Sequence, residues 1–310
     1  MIHFHVLQSS QIVNYSSAVT STGTDLFRLK MLRHISELDS FANSWTSWKP
    51  EIMRHLGSHP TAQDVFDLGD HLSVIFRSRS VIGRNNAAVS QGGVAWECLV
   101  CWYLNLILWG TDTIAIRPHT SFLPSVVKDA LTVSIQNVQT NTESDLIVFS
   151  IPGGRTHANL DLNAIDLVLR TSAGQVAISV VQCKTNWNDN SQIPMLWDLI
   201  YNSSSFRVPN VSVGRDGVNP TSFKKFSYAF VTVPTSRGDF TPSKLPVLRV
   251  RGLTGGNYWG HPSKAGVSRS LKEFFTANFA TSFEGTIQNH ITATLLNDPT
   301  RLKAFIDLQF

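Results

Sequence analysis

The chain has 310 residues, 42% of them hydrophobic and 15% charged. That is enough apolar material for a substantial core and excludes wholesale disorder. The longest apolar run, 94–109, falls short of the ~18 residues of a membrane span and carries Glu97. Three cysteines (Cys98, Cys101, Cys183) are too few for a disulfide framework and fit a reducing compartment. The start, MIHFHVLQSS, has neither a basic n-region nor a long apolar h-region. The expectation is a cytoplasmic protein with no membrane contact. The net charge of +4 is unevenly spread: segment 206–272 has eleven Lys and Arg against Asp216 and Asp239, or +9, which leaves −5 for the rest. Such asymmetry predicts a surface that meets a polyanion.

In chain order, apolar spacing predicts helix through much of 24–57 and again over 62–77. A polar loop, 82–93, then opens into an apolar helix over 94–109. The middle of the chain changes period. DTIAIRP, LTVSIQNV, DLIVFSI, AIDLVLR and QVAISVVQCK are short, rich in β-branched residues and separated by turn residues, so they read as strands. PMLWDLIYN reads as a short helix. KFSYAFVTVP and LPVLRVRGL read as strands among loops. Near the C-terminus, Ser270 and Glu273 have capping-box spacing, and Asp298-Pro299 is suited to open the last helix. This order predicts an α/β (α+β) fold, a central mixed sheet flanked by helices. With no clear linker, the chain reads as one compact unit: a helical part (1–92), a core (93–205), a basic elaboration (206–272) and C-terminal helices (273–310).

Nucleotide-binding loops, a nucleophile elbow and a zincin motif are absent, so no nucleotide cofactor is expected. Cys98-x-x-Cys101 reads as two small hydrophobes on a buried helix. His3-x-His5 is a weak metal signal, and His34, His55 and His59 read as surface or interface residues. One constellation carries chemistry. AIDLVLRTSAGQVAISVVQCK reads as a hairpin turning at Ser172, Ala173 and Gly174. On its second strand, alternation puts Gln182 and Lys184 on one face, about 6–7 Å apart. Asp166 on the partner strand is placed to join them. Among the lysines, only Lys184 has an Asp, Glu or Gln two residues before it.

This stretch resembles the PD-(D/E)xK nuclease superfamily, the fold of most type II restriction endonucleases. Asp166 matches the motif's Asp, and Gln182-Cys183-Lys184 matches its E-x-K with Gln for Glu, as in the Mrr-like branch. Gly93-Val-Ala-Trp-Glu97 resembles the G-x-x-x-E start of the helix that precedes the sheet. There the Glu faces the metal site. Glu97, Cys101 and Asn105 form a narrow polar stripe on that helix. An ion pair with Arg84 or another base is the plainer reading of Glu97.

The resemblance implies a Mg²⁺-dependent, sequence-specific endonuclease of double-stranded DNA that leaves 5′-phosphate and 3′-hydroxyl ends. Asp166, Gln182, Glu97 and the Cys183 carbonyl would hold the metal, and Lys184 would act on the attacking water. Lys224, Lys225, Arg237, Arg249 and Arg251 are the candidate DNA contacts. Asn186 and Asn188 are further candidates, although that amide-rich stretch reads more simply as turn and cap residues. A two-fold homodimer in a prokaryotic restriction system follows by analogy with enzymes that cut palindromes. The alternatives are an Mrr-like or structure-specific repair nuclease, and a non-catalytic DNA-binding protein on a decayed nuclease fold.

Overall fold

The computed structural model describes residues 22–78, 86–135, 138–141, 144–185, 211–233, 241–260 and 267–308. Four helices come first: α1 (Gly23–Ser36), α2 (Asp39–Leu56), α3 (Ala62–Arg77) and α4 (Asn86–Ile107). Local chemistry starts them. The Thr22 hydroxyl accepts from the Asp25 amide at the head of α1, and Thr61 and Asp64 form a reciprocal capping box on α3. α4 begins at Asn86, earlier than the loop expected at 82–93. Trp96, Leu99, Val100, Trp102 and Tyr103 are all buried, because α4 packs on α2 and α3 as well as on the sheet. A helix covered on both sides has no need of a polar face.

The main sheet has five strands in the order β1-β4-β5-β7-β8: β1 (Thr113–Ile116), β4 (Leu146–Ser150), β5 (Ala177–Lys184), β7 (Lys225–Thr232) and β8 (Tyr258–Trp259). β1, β4 and β5 pair antiparallel, whereas β5, β7 and β8 run parallel. A smaller sheet joins β2 (Thr132–Ile135) to β3 (Val138–Asn141) and β6 (Val211–Val213). The expected mixed sheet flanked by helices is therefore present. β1 is an edge strand, and Asn105 of α4 covers it: its amide donates to the Ala115 carbonyl at 2.8 Å and accepts from the Ala115 N–H at 3.1 Å. Asn105 on the predicted polar stripe thus serves the sheet edge.

Two segments expected as strands are helices. Residues 164–170 belong to α6 (Leu162–Thr171), capped by Asp161, with Ile165 and Leu169 buried and Leu167 exposed. Residues 245–253 form the helix Leu245–Leu253, opened by Pro246, with Val247 and Val250 buried and Leu245 and Leu248 exposed. In both, buried residues three or four apart mark the helical period. Asp298 caps the helix Pro299–Ile306 with Pro299 in its first turn, as expected. Ser270 accepts from the Lys272 amide, and the helix itself starts at Glu273. The helix expected around 194–202 lies outside the described residues.

The two faces of the sheet differ. Registry puts Val181 and Cys183 of β5 with Val231 of β7 and Trp259 of β8, in the core that includes α4. The alternate residues Val180, Gln182 and Lys184 share the opposite face with Tyr228, Phe230 and Thr232. On that face Val250, from the basic helix, meets Phe230 and Tyr258 in a small separate cluster.

Candidate active site

β4 and β5 are antiparallel, with Leu146 opposite Val181. The residue just before β4 therefore lies beside the end of β5, and that residue is Asp145. Its Oδ2 accepts from the Gln182 side-chain amide at 2.5 Å and from the Cys183 backbone N–H at 2.7 Å. The Lys184 ammonium stands 3.7 Å from the same oxygen. Gln182 is 2% exposed, and its Oε1 accepts from the buried Tyr228 hydroxyl at 3.2 Å. An Asp, a Gln and a Lys thus converge at one end of the sheet, and the Asp is Asp145.

Asp166 is elsewhere. It lies on α6 and clasps the start of α5 (Ser125–Leu131), accepting from the Val126 amide at 2.7 Å and the Ser125 hydroxyl at 2.8 Å. Arg170 adds a third bond at 3.0 Å and also reaches the buried Asp129, which Arg215 joins as well. Burial by itself would raise the Asp166 carboxyl, but these hydrogen bonds outweigh it and hold it below the usual range. The expected hairpin partnership of Asp166 with Gln182 and Lys184 fails because its segment is a helix.

Glu97 projects from α4 on the other side of β5 and pairs with Arg117, just past β1, at 3.1 Å. The partner is thus another base, as the plainer reading had it. Desolvation opposes the Arg117 charge, but Glu97 outweighs it, with Cys98 and Asp145 adding, so the guanidinium is held above its ordinary value. The Cys183 thiol is pushed far up, first by burial and then by Asp145 and Glu97. Both carboxylates therefore act on the same strand end. The Cys98 and Cys101 thiols are raised mainly by burial, as suits buried hydrophobes.

The candidate DNA contacts divide. Lys225 pairs in register with Ala177, seven residues before Lys184, which places it roughly 23 Å down the strand at ~3.3 Å per residue. Its ammonium donates to the Ala277 and Asn278 carbonyls, closing the end of the helix Glu273–Phe279. Lys224 lines a cleft at that same far end, with Arg155 and Glu284. Lys225→Ala is accordingly expected to leave DNA affinity unchanged and to cost about 0.3–1 kcal/mol of stability, read by denaturant unfolding beside a filter-binding assay. Arg249 and Arg251 are exposed on the helix Leu245–Leu253, which shares the Gln182 face. Arg251 also borders a cleft of about 650 Å³ with Arg269 and Lys272 on its wall. Arg237, Asn186 and Asn188 lie outside the described residues.

No protein-family model matches the chain, and no curated protein matches it. The site has to be read from its own chemistry.

Among the described residues, no group of three or more His, Cys, Asp and Glu side chains is placed to hold a metal. The donors at this strand end are of another mix: the Asp145 carboxylate, the Gln182 amide oxygen and the Cys183 carbonyl, with the Glu97 carboxylate paired to Arg117 on the other side of β5. All are hard oxygens, the kind Mg²⁺ accepts while keeping several waters. A second observation agrees with a site for a polar guest. The Thr232 hydroxyl, in register with Lys184, is buried and finds no partner among the described residues. The Gln182 amide would have to turn over, since it now directs its NH₂ and not its oxygen toward Asp145.

Sequence reasoning missed Asp145 and Tyr228. Asp145 had a signal, an acidic residue heading the apolar run LIVF next to the strand that ends in Gln-x-Lys. Tyr228 had none, because its role depends on the β5–β7 register.

Proposed function

We propose that the chain is a Mg²⁺-dependent endonuclease of double-stranded DNA with a restriction endonuclease-like core. The observation that carries this reading is the meeting of Asp145, Gln182 and Lys184 across two adjacent antiparallel strands. Asp145 takes the motif position first read at Asp166. Asp145, Gln182, the Cys183 carbonyl and Glu97 would hold the ion. Bound there, Mg²⁺ would supply Lewis-acid stabilisation of the charge that builds on the phosphate.

Lys184 is 28% exposed, so it can meet solvent and substrate while held by Asp145. Its ammonium orients the attacking water and offsets charge on the scissile phosphate. Water attacks phosphorus, the bond to the 3′-oxygen breaks, and the products carry 5′-phosphate and 3′-hydroxyl. Arg117 holds Glu97 in place on the other side of the strand end.

The helix Leu245–Leu253 is the proposed DNA-contacting element. It lies on the face of Gln182 and Lys184, and segment 241–260 carries Lys244, Arg249 and Arg251 without an acid. Arg249→Ala is expected to weaken DNA binding and to lower the salt slope of the binding constant by about one charge, measured by titration at several salt concentrations. A slope equal to wild type would remove that helix from the interface. A two-fold homodimer acting on symmetric sites completes the proposal.

The test is a digest of unmodified phage DNA with purified protein, in Mg²⁺ or in EDTA. Discrete Mg²⁺-dependent bands support sequence-specific cleavage. A smear would replace the restriction reading with a non-specific or structure-directed nuclease. A non-catalytic DNA-binding protein is the second reading, favoured by the amide donor that Gln182 presents to Asp145. It predicts intact DNA in both arms together with a stable complex.

A further inference from the structure

The helix Leu245–Leu253 is apolar on two sides. Val247 and Val250 are buried, and Val250 anchors the helix on Phe230 and Tyr258. At 3.6 residues per turn the opposite face holds Leu245, Leu248, Arg249 and Gly252. Leu245 is 56% exposed and Leu248 50%. Among the described residues no other element exposes two large hydrophobic side chains. One such side chain on a surface is ordinary, whereas two a turn apart make a patch. Gly252 continues that patch. Neither a positive φ nor crowding calls for glycine there. Glycine weakens a helix; what it provides on an outward face is close approach to the backbone. Charge surrounds the patch: Lys244 precedes the helix, Arg249 lies on the same face, Arg251 flanks it, and no acid occurs over 241–260.

We infer that Leu245 and Leu248 are apolar base contacts, which meet the nucleobases of double-stranded DNA while Lys244 and Arg249 meet the phosphates beside them. The inference rests on the DNA-binding reading of this helix and adds the part of binding that does not depend on charge. Charge complementarity names the occupant. Leucines framed by cations and free of acids fit a ligand whose apolar surface sits inside an anionic frame. Duplex DNA is such a ligand, with bases on the groove floor and phosphates on both rims. The helix has nine residues, so it is about 14 Å long, close to the ~12 Å width of the major groove. A leucine there packs on a thymine methyl, and in the minor groove it wedges between base steps. Either contact takes the side chain out of water. A second copy of the chain fits this face less well, because two-fold pairing would set Lys244 and Arg249 against the same cations of the other copy.

The experiment titrates a mixed-sequence DNA duplex, and in parallel heparin, with wild type, Leu245→Ala, Leu248→Ala, the double variant and Arg249→Ala. Fluorescence anisotropy is read at several salt concentrations, in EDTA so that no DNA is cut. Alanine keeps the helix, and circular dichroism checks each fold. Each leucine variant is expected to weaken duplex binding about fivefold at every salt concentration, the ratio for burying half a leucine side chain. The double variant is expected to lose about twentyfold, with the salt slope of wild type. Heparin is a polyanion without bases, so the leucine variants should bind it as wild type does. Arg249→Ala should instead weaken both ligands and lower the slope. Leucine variants that bind the duplex as wild type does would overturn the base contact and leave the DNA role of the helix standing. Equal losses on duplex and heparin would also overturn it, since the leucines would then only support the helix. So would a dimer that sedimentation shows to dissociate in the double variant, because the leucines would lie between copies. If wild type binds no duplex at any salt concentration, the DNA reading itself fails and takes the base contact with it.

Discussion

Asp145→Ala is expected to abolish Mg²⁺-dependent DNA cleavage, and Asp166→Asn is expected to leave it intact. The first substitution removes the carboxylate on which Gln182, Cys183 and Lys184 converge. Without it the strand end loses its central oxygen donor, and Lys184 loses the partner that directs it. Loss of a group that stabilises developing charge lowers turnover by about 10²–10³-fold; loss of a metal-holding carboxylate is expected to exceed that. DNA affinity should persist in Asp145→Ala, because the proposed contacts lie on another element. Asp166→Asn weakens the clasp between α5 and α6, since a neutral amide is a poorer partner for Arg170 and for the Val126 amide. Its effect is therefore on stability, about 1–2 kcal/mol. The assay is cleavage at a temperature where circular dichroism shows each variant folded. An Asp145→Ala enzyme that cuts at the wild-type rate would sink the site assignment.

That pair of variants also separates what the amino-acid order discloses from what only the fold does. Gln182 and Lys184 were legible, because alternation along one apolar strand fixes a shared face without knowledge of the neighbours. α1, α2 and α3 were legible from helical spacing, and Asp298-Pro299 from cap chemistry. AIDLVLR misled because Ile165, Leu167 and Leu169 satisfy a period of two as well as Ile165 and Leu169 satisfy a helical one. Asp161 at the N-cap and the exposure of Leu167 decide for the helix, and only the second needs the structure. LPVLRVRGL carried the same ambiguity in five β-prone or apolar positions. In both cases packing selected one period over the other. Which Asp meets Gln182 was not legible, since it depends on β4 pairing antiparallel with β5. Lys225 lies at the far end of the strand pair from Gln182, which was illegible for a related reason. Charge along the sequence says nothing about which end of a parallel strand pair a lysine occupies.

A larger effect on stability is expected at Arg28, far from the proposed chemistry. This residue is fully buried on α1 and pairs with Asp25. It also donates to the Thr113 carbonyl at 2.7 Å, at the start of β1, and to the Thr111 carbonyl at 3.3 Å. Asp25 in turn accepts from the Gly110 amide at 3.1 Å. One ion pair thus ties the first helix to the turn between α4 and the sheet. Burial pulls the guanidinium down to about 9, with the charge of Asp112 opposing, so it is still a cation at neutral pH. Arg28→Met keeps much of the apolar volume but leaves the Asp25 charge buried without its cation and takes the guanidinium donor from the Thr111 and Thr113 carbonyls. Breaking a buried pair on one side costs about 3–5 kcal/mol, a large part of what holds a domain of this kind folded. Asp25→Asn added to Arg28→Met should recover part of the loss, because the second change removes the stranded charge. The check is urea unfolding of wild type, single and double variants. A single variant within about 1 kcal/mol of wild type would mean that water reaches the pair and that it behaves as a surface contact. Thr113 pairs with Ser150, and Asp145 lies beyond the other end of β4, so specific activity per folded molecule should be unchanged. A destabilised, active Arg28→Met beside a folded, inactive Asp145→Ala would assign the two ionic clusters to different tasks, the first to holding the helices on the sheet and the second to the proposed chemistry at its open end.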